Sequence, residues 1–590
     1  MTLLFIILLF NQTAVEQLFE LDSDLPEELP QKEVLEQLMK HPLDLNRASR
    51  DELLQIPFLD PVLVDRMIRY RQKSDFRHIE DLIKISGFGS GLVDMLAPFV
   101  TVRLAVQGKK PPVKKKLGTR LRIVDKDFSF NDSFKNRSFY CRIGGEIGTC
   151  RLVVMTEKDS GETNYFDFLS TGFGFAADGH QAVAGNYFVT AGQGLVFSAP
   201  FGFISGPEFA LDIGKGERLE PQTLASENSG LFGIAYRRIV GSWMPMVIVS
   251  SRKLDAAINP DGSVDHISPD GLHADSAGIA EKDQLSERLF GARLACKRKN
   301  WGIGVTGYAN HYDRRFRPRD STDSFYGDHL TVVGVDCAGI LGDYFTFGEI
   351  GYSLANGGAG IVGLAGDLDR LKVGFSLRGY QQRFFSPHSR VGSLKDQRDK
   401  LEAHFTAGYR LKDFQLSFDG TTARDFVTDS MPTRFQLELE KREKRVEFGL
   451  TLKQSLKEDA PRSQGMKIDV AYTPWKFLAL TARLEDRYAF ERTVKRSLVV
   501  LGSCDWDFGA FDLTARFYKF GIGSSSTRIY AYEPGLPGLG GNHSFSGEGV
   551  RAFGLMSLTV RKRLRLAIKA GFTKTDSTTV DVGCQLELNY

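Results

Sequence analysis

Hydrophobic and polar positions alternate along most of this chain with a period of two. Between Val580 and Tyr590, one parity holds Val580, Val582, Cys584, Leu586, Leu588 and Tyr590; the other holds Asp581, Gly583, Gln585, Glu587 and Asn589. Successive side chains of an extended strand point to opposite faces, so this segment presents one apolar and one polar face. The pattern recurs upstream. Leu371–Tyr380 sets Leu371, Val373, Phe375 and Leu377 against Lys372, Gly374, Ser376 and Arg378, and Leu401–Arg410, Val446–Leu452 and Leu564–Thr573 alternate likewise. Such segments suit the ~9–11 residues of a tilted membrane-spanning strand better than the ~5–6 of an ordinary one. Their polar faces carry Lys372, Arg378, Glu402, Arg410, Arg483, Glu485 and Arg565. A packed sandwich core does not tolerate charge in that number, whereas a hydrated lumen does.

Residues 119–590, at roughly 18–22 residues per strand plus connection, hold about 22–26 strands. No helical pattern separates them, which excludes a βαβ architecture. Tight turns such as Lys412-Asp413 alternate with long connections, notably Leu254–Glu287 and Gly535–Gly549. The expected fold is mainly β: a large transmembrane antiparallel β-barrel, closed because hydrocarbon tolerates no free sheet edge.

The N-terminal part reads differently. Met1–Phe10 is apolar but too short to span a bilayer as a helix, and residues 1–14 resemble an atypical signal peptide without a basic start. Residues 15–42 form an acidic linker, with eight acidic residues and one lysine between Glu16 and Glu36. Residues 43–102 carry a 3.6-residue period. Ser49 and Glu52 have capping-box spacing, and Asp60-Pro61 supplies an N-cap and an N1 proline for a helix running to about Arg71. Ile79–Ile83 predicts a short helix, Gly87-Phe88-Gly89 a turn and Ser90–Leu96 another helix. Residues 103–118 are a basic Pro/Lys linker.

Resemblances follow from these residues. Leu45–Leu53, Tyr70-Arg71, Phe76, Glu80-Asp81-Leu82 and Ile85–Gly89 resemble a small all-α tandem helix-hairpin-helix domain of the competence DNA-receptor (ComEA-like) type. Ala184–Leu195, Gly271-Leu272-His273 and Arg528–Glu533 resemble an uncharacterised bacterial outer-membrane β-barrel family that carries such a domain, and the terminal aromatic Tyr590 resembles the closing strand of bacterial outer-membrane barrels generally. Asn186 stands where that family usually has Asp. The resemblance implies a bacterial outer-membrane location with the helical domain in the periplasm, and makes Tyr590 part of an assembly signal.

For DNA, the candidate phosphate contacts are Gly87, Phe88 and Gly89, where glycine lets backbone N–H groups approach an anion, together with Lys109, Lys110, Lys114, Lys115 and Lys116. The first hairpin, Ile56–Pro61, has no glycine, places a carboxylate at its tip and should hold phosphate poorly. Two functions stay open. Either the module supports DNA uptake or other passage across the outer membrane, or it docks a periplasmic partner or plugs the barrel without DNA. The expected partners are outer-membrane lipid, with double-stranded DNA or a periplasmic protein according to the reading.

Composition adds little. The 590 residues carry a net charge of +3, which selects no partner, while 60 glycines and 44 phenylalanines suit a turn-rich β chain with aromatic girdles. A mean hydropathy of −0.21 excludes a helical membrane bundle. The six scattered cysteines predict neither a disulfide framework nor a zinc site. Gly358–Gly363 matches GxGxxG but sits in strand-like sequence, so no cofactor is expected. His311 and Asp313 read as a polar strand end. His266 and His273 lie in a loop without zinc-ligand spacing, so no metal is assigned. No GxSxG, P-loop or paired-carboxylate constellation occurs, and the chain is not expected to be an enzyme.

Overall fold

A computed structural model describes residues 38–39, 42–56, 59–103, 115–128, 136–199, 216–225, 227–268, 271–319, 325–389, 399–456, 461–561 and 563–590. The signal-peptide and most of the acidic-linker expectations, and Lys109, Lys110 and Lys114, lie outside them.

The alternating segments become staves of a closed antiparallel barrel of 24 strands. The first stave, Lys115–Asp125, pairs with the last, Thr578–Asn589, in the register Leu121↔Leu586. Tyr590 extends this seam, its N–H donating to Leu117 O at 2.8 Å and its O accepting from Leu117 N at 3.1 Å. The predicted strand Leu371–Tyr380 is observed at those bounds, and Lys400–Leu411, Val446–Leu456 and Leu564–Lys574 contain the others. Gly357–Leu368 is a stave, so the GxGxxG match has no helix behind it.

Parity decides which face meets lipid. In the stave Tyr344–Ser353, Ile350 is 71% exposed while Phe345, Phe347 and Glu349 are buried inside. In the last stave Glu587 is 2% exposed and bonded to Arg120 Nε at 2.7 Å, across the seam. The outer face is an apolar belt, with Ile303, Val305, Val333, Val335, Phe375 and Phe405 all exposed. Trp475, Phe477, Phe508 and Phe511 stack in series along one rim, ring centroids 5.8–6.4 Å apart. That is the aromatic girdle expected where a barrel crosses the bilayer interface.

This rim is also the one with tight turns. Asp178-Gly179 has φ of 50° and 76°, the left-handed geometry of two-residue hairpin loops, and Lys412 and Asp369 also have positive φ. The opposite rim bears the long connections. One of them contains the short strands Ala256–Ile258 and Val264–Ile267 and a helix, Ser276–Glu281, before the next stave starts at Leu285.

The lumen is not polar throughout. On one side Tyr187, Val196, Phe197, Met246, Ile248, Leu289, Tyr308 and Tyr312 form an apolar internal core. Staves there are apolar on both faces, as in Trp243–Leu254, and the segment 191–199 folds inward to cover them.

Candidate functional site: a helical module at the short-turn rim

Among the described residues the N-terminal module has, besides helical residues 38–39, the helices α1 (Arg50–Leu53), α2 (Pro61–Arg71) and α3 (Ser90–Leu96), with a 3₁₀ turn at Ile79–Lys84. Ser49 caps α1 in a complete capping box with Glu52. Asp60 Oδ1 accepts the N–H groups of both Val62 and Leu63 at 2.8 Å, so the N-terminus of α2 is occupied by the protein's own carboxylate. Leu43–Asp44 and Val100–Thr101 pair in parallel and tie the ends of the module together. Its core holds Leu45, Leu53, Leu63, Phe76, Leu82 and Leu96. Asp81 braces the 3₁₀ turn. The Lys84 ammonium, at 2.6 Å, and the N–H groups of His78 and Arg77 hold its carboxyl well below the usual carboxylate range.

The module sits in the barrel mouth at the short-turn rim. Val62 packs with Ile340, Phe345, Phe347 and Ala365 of the inner wall. Arg66, off the apolar stripe of α2, places Nη2 2.6 Å from Asp343 Oδ1 and Nη1 2.8 Å from Asp367 Oδ1. The same guanidinium donates to Asp367 O at 2.8 Å and to Ser86 O at 2.9 Å, joining both hairpins to the wall. Lys297–Asp51 (3.1 Å) and Lys372–Asp60 (3.7 Å) add two further pairs. On the far side, Tyr532 packs into the module's own core. Tyr532 belongs to the strand Tyr530–Pro534, part of a long connection folded into the lumen and held by Glu533–Arg551 and Glu533–Lys569 ion pairs.

The nominated phosphate contacts are placed as follows. Phe88 is buried in the module core. Gly87, at φ 92°, lies so close to Leu63, Arg66 and Asp367 that an added Cβ would come within 2.7–2.9 Å of them. Gly89 faces Arg410 of the wall. Lys115 and Lys116 begin the first stave, with Lys116 Nζ 3.9 Å from Glu146. The structure therefore brings Gly87 and Gly89 together against the barrel wall and leaves Lys115 and Lys116 on a different element. Several charges read as lumen-facing are paired: Arg378 with Glu402, Arg483 with Asp469, and Glu485 with Arg487 at 2.8 Å.

A second polar cluster lies at the long-loop rim, and the sequence offered no spacing by which to find it. Glu162 and Asp167 come from one connection, Glu227 from another, and Asp255, His273 and Lys282 from a third. His273 Nδ1 is hydrogen-bonded to Asp167 Oδ2, its Nε2 lies 3.5 Å from Asp255 Oδ2, and its backbone N–H donates to Glu162 Oε1 at 2.8 Å. Burial, with Asp255 and Asp167 nearby, pushes the Glu227 carboxyl up to about 9.

Residues 39–101 match the helix-hairpin-helix motif family. No curated protein matches the chain. Among solved structures it is similar to the translocation pore of the P pilus usher PapC (8% identity, 80% of this chain and 99% of that one, TM-score 0.38). It is also similar to the copper transporter OprC (9%, 81% and 80%, TM-score 0.38). A third is a mutant ferric enterobactin receptor, PfeA from Pseudomonas aeruginosa, in complex with enterobactin (9%, 81% and 82%, TM-score 0.39). Likenesses this distant say nothing of what this chain binds or moves. The closed barrel, apolar belt and aromatic girdle are those of an outer-membrane protein, here joined to a helix-hairpin-helix domain.

Proposed function

We propose that the chain is a gated outer-membrane passage whose helix-hairpin-helix module is the plug, seated from the periplasmic rim. The observation that carries this is Arg66, which spans Asp343 and Asp367 while Val62 enters the wall's apolar cluster. In this reading the module is released by a periplasmic partner that competes for the seat, and the chain has no catalytic role. Planar-bilayer recording of the intact chain is the test. Quiet membranes that become conducting when Arg66→Glu sets like charges against Asp343 and Asp367 support the plug; a large steady conductance in the wild type rejects it.

The helix-hairpin-helix match supports a second reading, DNA handling of the competence-receptor kind. Gly87 and Gly89 face Asp367 and Arg410 in the seated state, so duplex would reach them only after release. Intact protein should then bind duplex weakly, and the Arg66→Glu variant more tightly with a steep salt dependence. Equal, negligible binding by both removes DNA from the account.

A further inference from the structure

Three connections of the long-loop rim converge on one imidazole. Ligand atoms of Glu227, Asp255 and His273 all lie within 4.8 Å of one another, far from the plug and outside the staves. We propose that these three residues form a binding site for a divalent cation of the zinc class that staples the loops of this rim.

The chemistry of the donors selects the ion. One imidazole with two carboxylates is a set that zinc accepts, leaving a fourth position for water, whereas calcium and magnesium favour oxygen alone. Bonds of about 2.0–2.1 Å in a tetrahedron put ligand atoms about 3.3 Å apart. Asp255 Oδ2 and His273 Nε2 already stand at 3.5 Å, and rotation of the Glu227 side chain closes the third edge.

The surroundings are arranged as a metal site requires. A ligating imidazole carries its proton on the other nitrogen and donates it to a carboxylate, which fixes the tautomer. Asp167 occupies that position on Nδ1 and is itself held by Lys282 Nζ at 2.5 Å, so Nε2 is the free nitrogen turned toward Asp255. Asp255 Oδ1 accepts the Asp283 N–H at 2.8 Å, which orients its other oxygen inward. Glu162, Asp167, Glu227 and Asp255 bring four carboxylates together, and among the described residues the permanent cation of the cluster is Lys282. Carboxyl groups gathered this closely repel one another when charged, and a cation joining them removes that repulsion. Gly271, two residues before His273, leaves room for the arrangement: a Cβ there would stand 2.4 Å from Glu227 Oε2.

Full-length protein in detergent, without a histidine tag, is stripped with EDTA and titrated with Zn²⁺ by calorimetry, with bound metal counted by mass spectrometry. The expected result is about one ion per chain, with affinity falling at least about tenfold in Glu227→Gln, Asp255→Asn and His273→Ala. Asp167→Asn, a change at a positioning residue, keeps the stoichiometry, weakens binding by about 10–100-fold and alters the visible spectrum of the Co²⁺-substituted site. His266→Ala leaves binding unchanged. Heat-modifiable migration verifies that each variant has formed its barrel, and Glu227→Gln, nearly isosteric, decides if His273→Ala does not fold. A wild type that retains no zinc, or an affinity untouched by Glu227→Gln, overturns the site; His273 then serves only to bridge the loops through Asp167 and Asp255.

Discussion

Replacing Arg66 by alanine isolates the latch between plug and wall. The wild-type guanidinium makes two charge-assisted bonds, at 2.6 and 2.8 Å, and its removal strands Asp367, whose side chain is 1% exposed. Lys372 Nζ, 3.6 Å from Asp367 Oδ2, compensates in part. Breaking a buried pair costs about 3–5 kcal/mol, and with Lys372 present the low end, about 3 kcal/mol, is expected. At about 1.4 kcal/mol per decade, the ratio of seated to released plug falls by roughly 150-fold. Bilayer conductance recorded against urea reads this as an earlier onset. With a slope of about 1 kcal/mol per molar for so small a module, the midpoint drops by about 3 M. Most of that loss is the penalty of an uncompensated carboxylate, so Arg66→Ala combined with Asp367→Asn should recover part of the shift. An unchanged onset in Arg66→Ala, or full additivity in the double variant, would refute the latch.

Gly87→Ala places a Cβ against Leu63, Arg66 and Asp367 at positive φ, and should advance conductance onset in the same direction as Arg66→Ala, by about 1–3 kcal/mol. Asp81→Asn should remove an acid limb from plug stability. A carboxyl held below its unfolded value stabilises above about pH 4 and loses that contribution as pH falls further, so wild-type release should rise below about pH 4 while the variant is flatter, by conductance at stepped pH. Deleting Tyr590 removes the two backbone bonds to Leu117 that extend the closing seam, and should lower the heat-modifiable folded fraction several-fold; normal assembly would separate the terminal aromatic from barrel closure.

Much of the fold was legible because its determinants are local. A strand's period of two and a cap's three-residue spacing are properties of adjacent residues, so Leu371–Tyr380, the Ser49–Glu52 box and the Asp60-Pro61 start of α2 could be read directly. The parity of the last strand likewise placed Glu587 in the lumen and Leu586 and Leu588 on the outer face. Alternation does not say what fills the lumen. The apolar core around Tyr187 and Ile248, and Tyr532 in the core of the helical module, depend on connections folding back from the rim.

The site followed the same division. Gly87 and Gly89 were recognisable as a hairpin turn, but whether that turn meets phosphate or wall depends on Asp367, which lies 280 residues further along the chain counting from Gly87. Arg66 lies off the apolar stripe of its helix, and its carboxylate partners come from a turn and a stave of the distant barrel. His273 lacked every spacing signal because its neighbours are contributed by three separate connections. By itself, then, the sequence determined a closed β-barrel with a small helical module, because periodicity and capping are encoded between near neighbours. Only the tertiary structure decided that the module is seated in the mouth and that five acidic and imidazole side chains meet at the opposite rim, because closing a barrel brings together residues that chain order keeps apart.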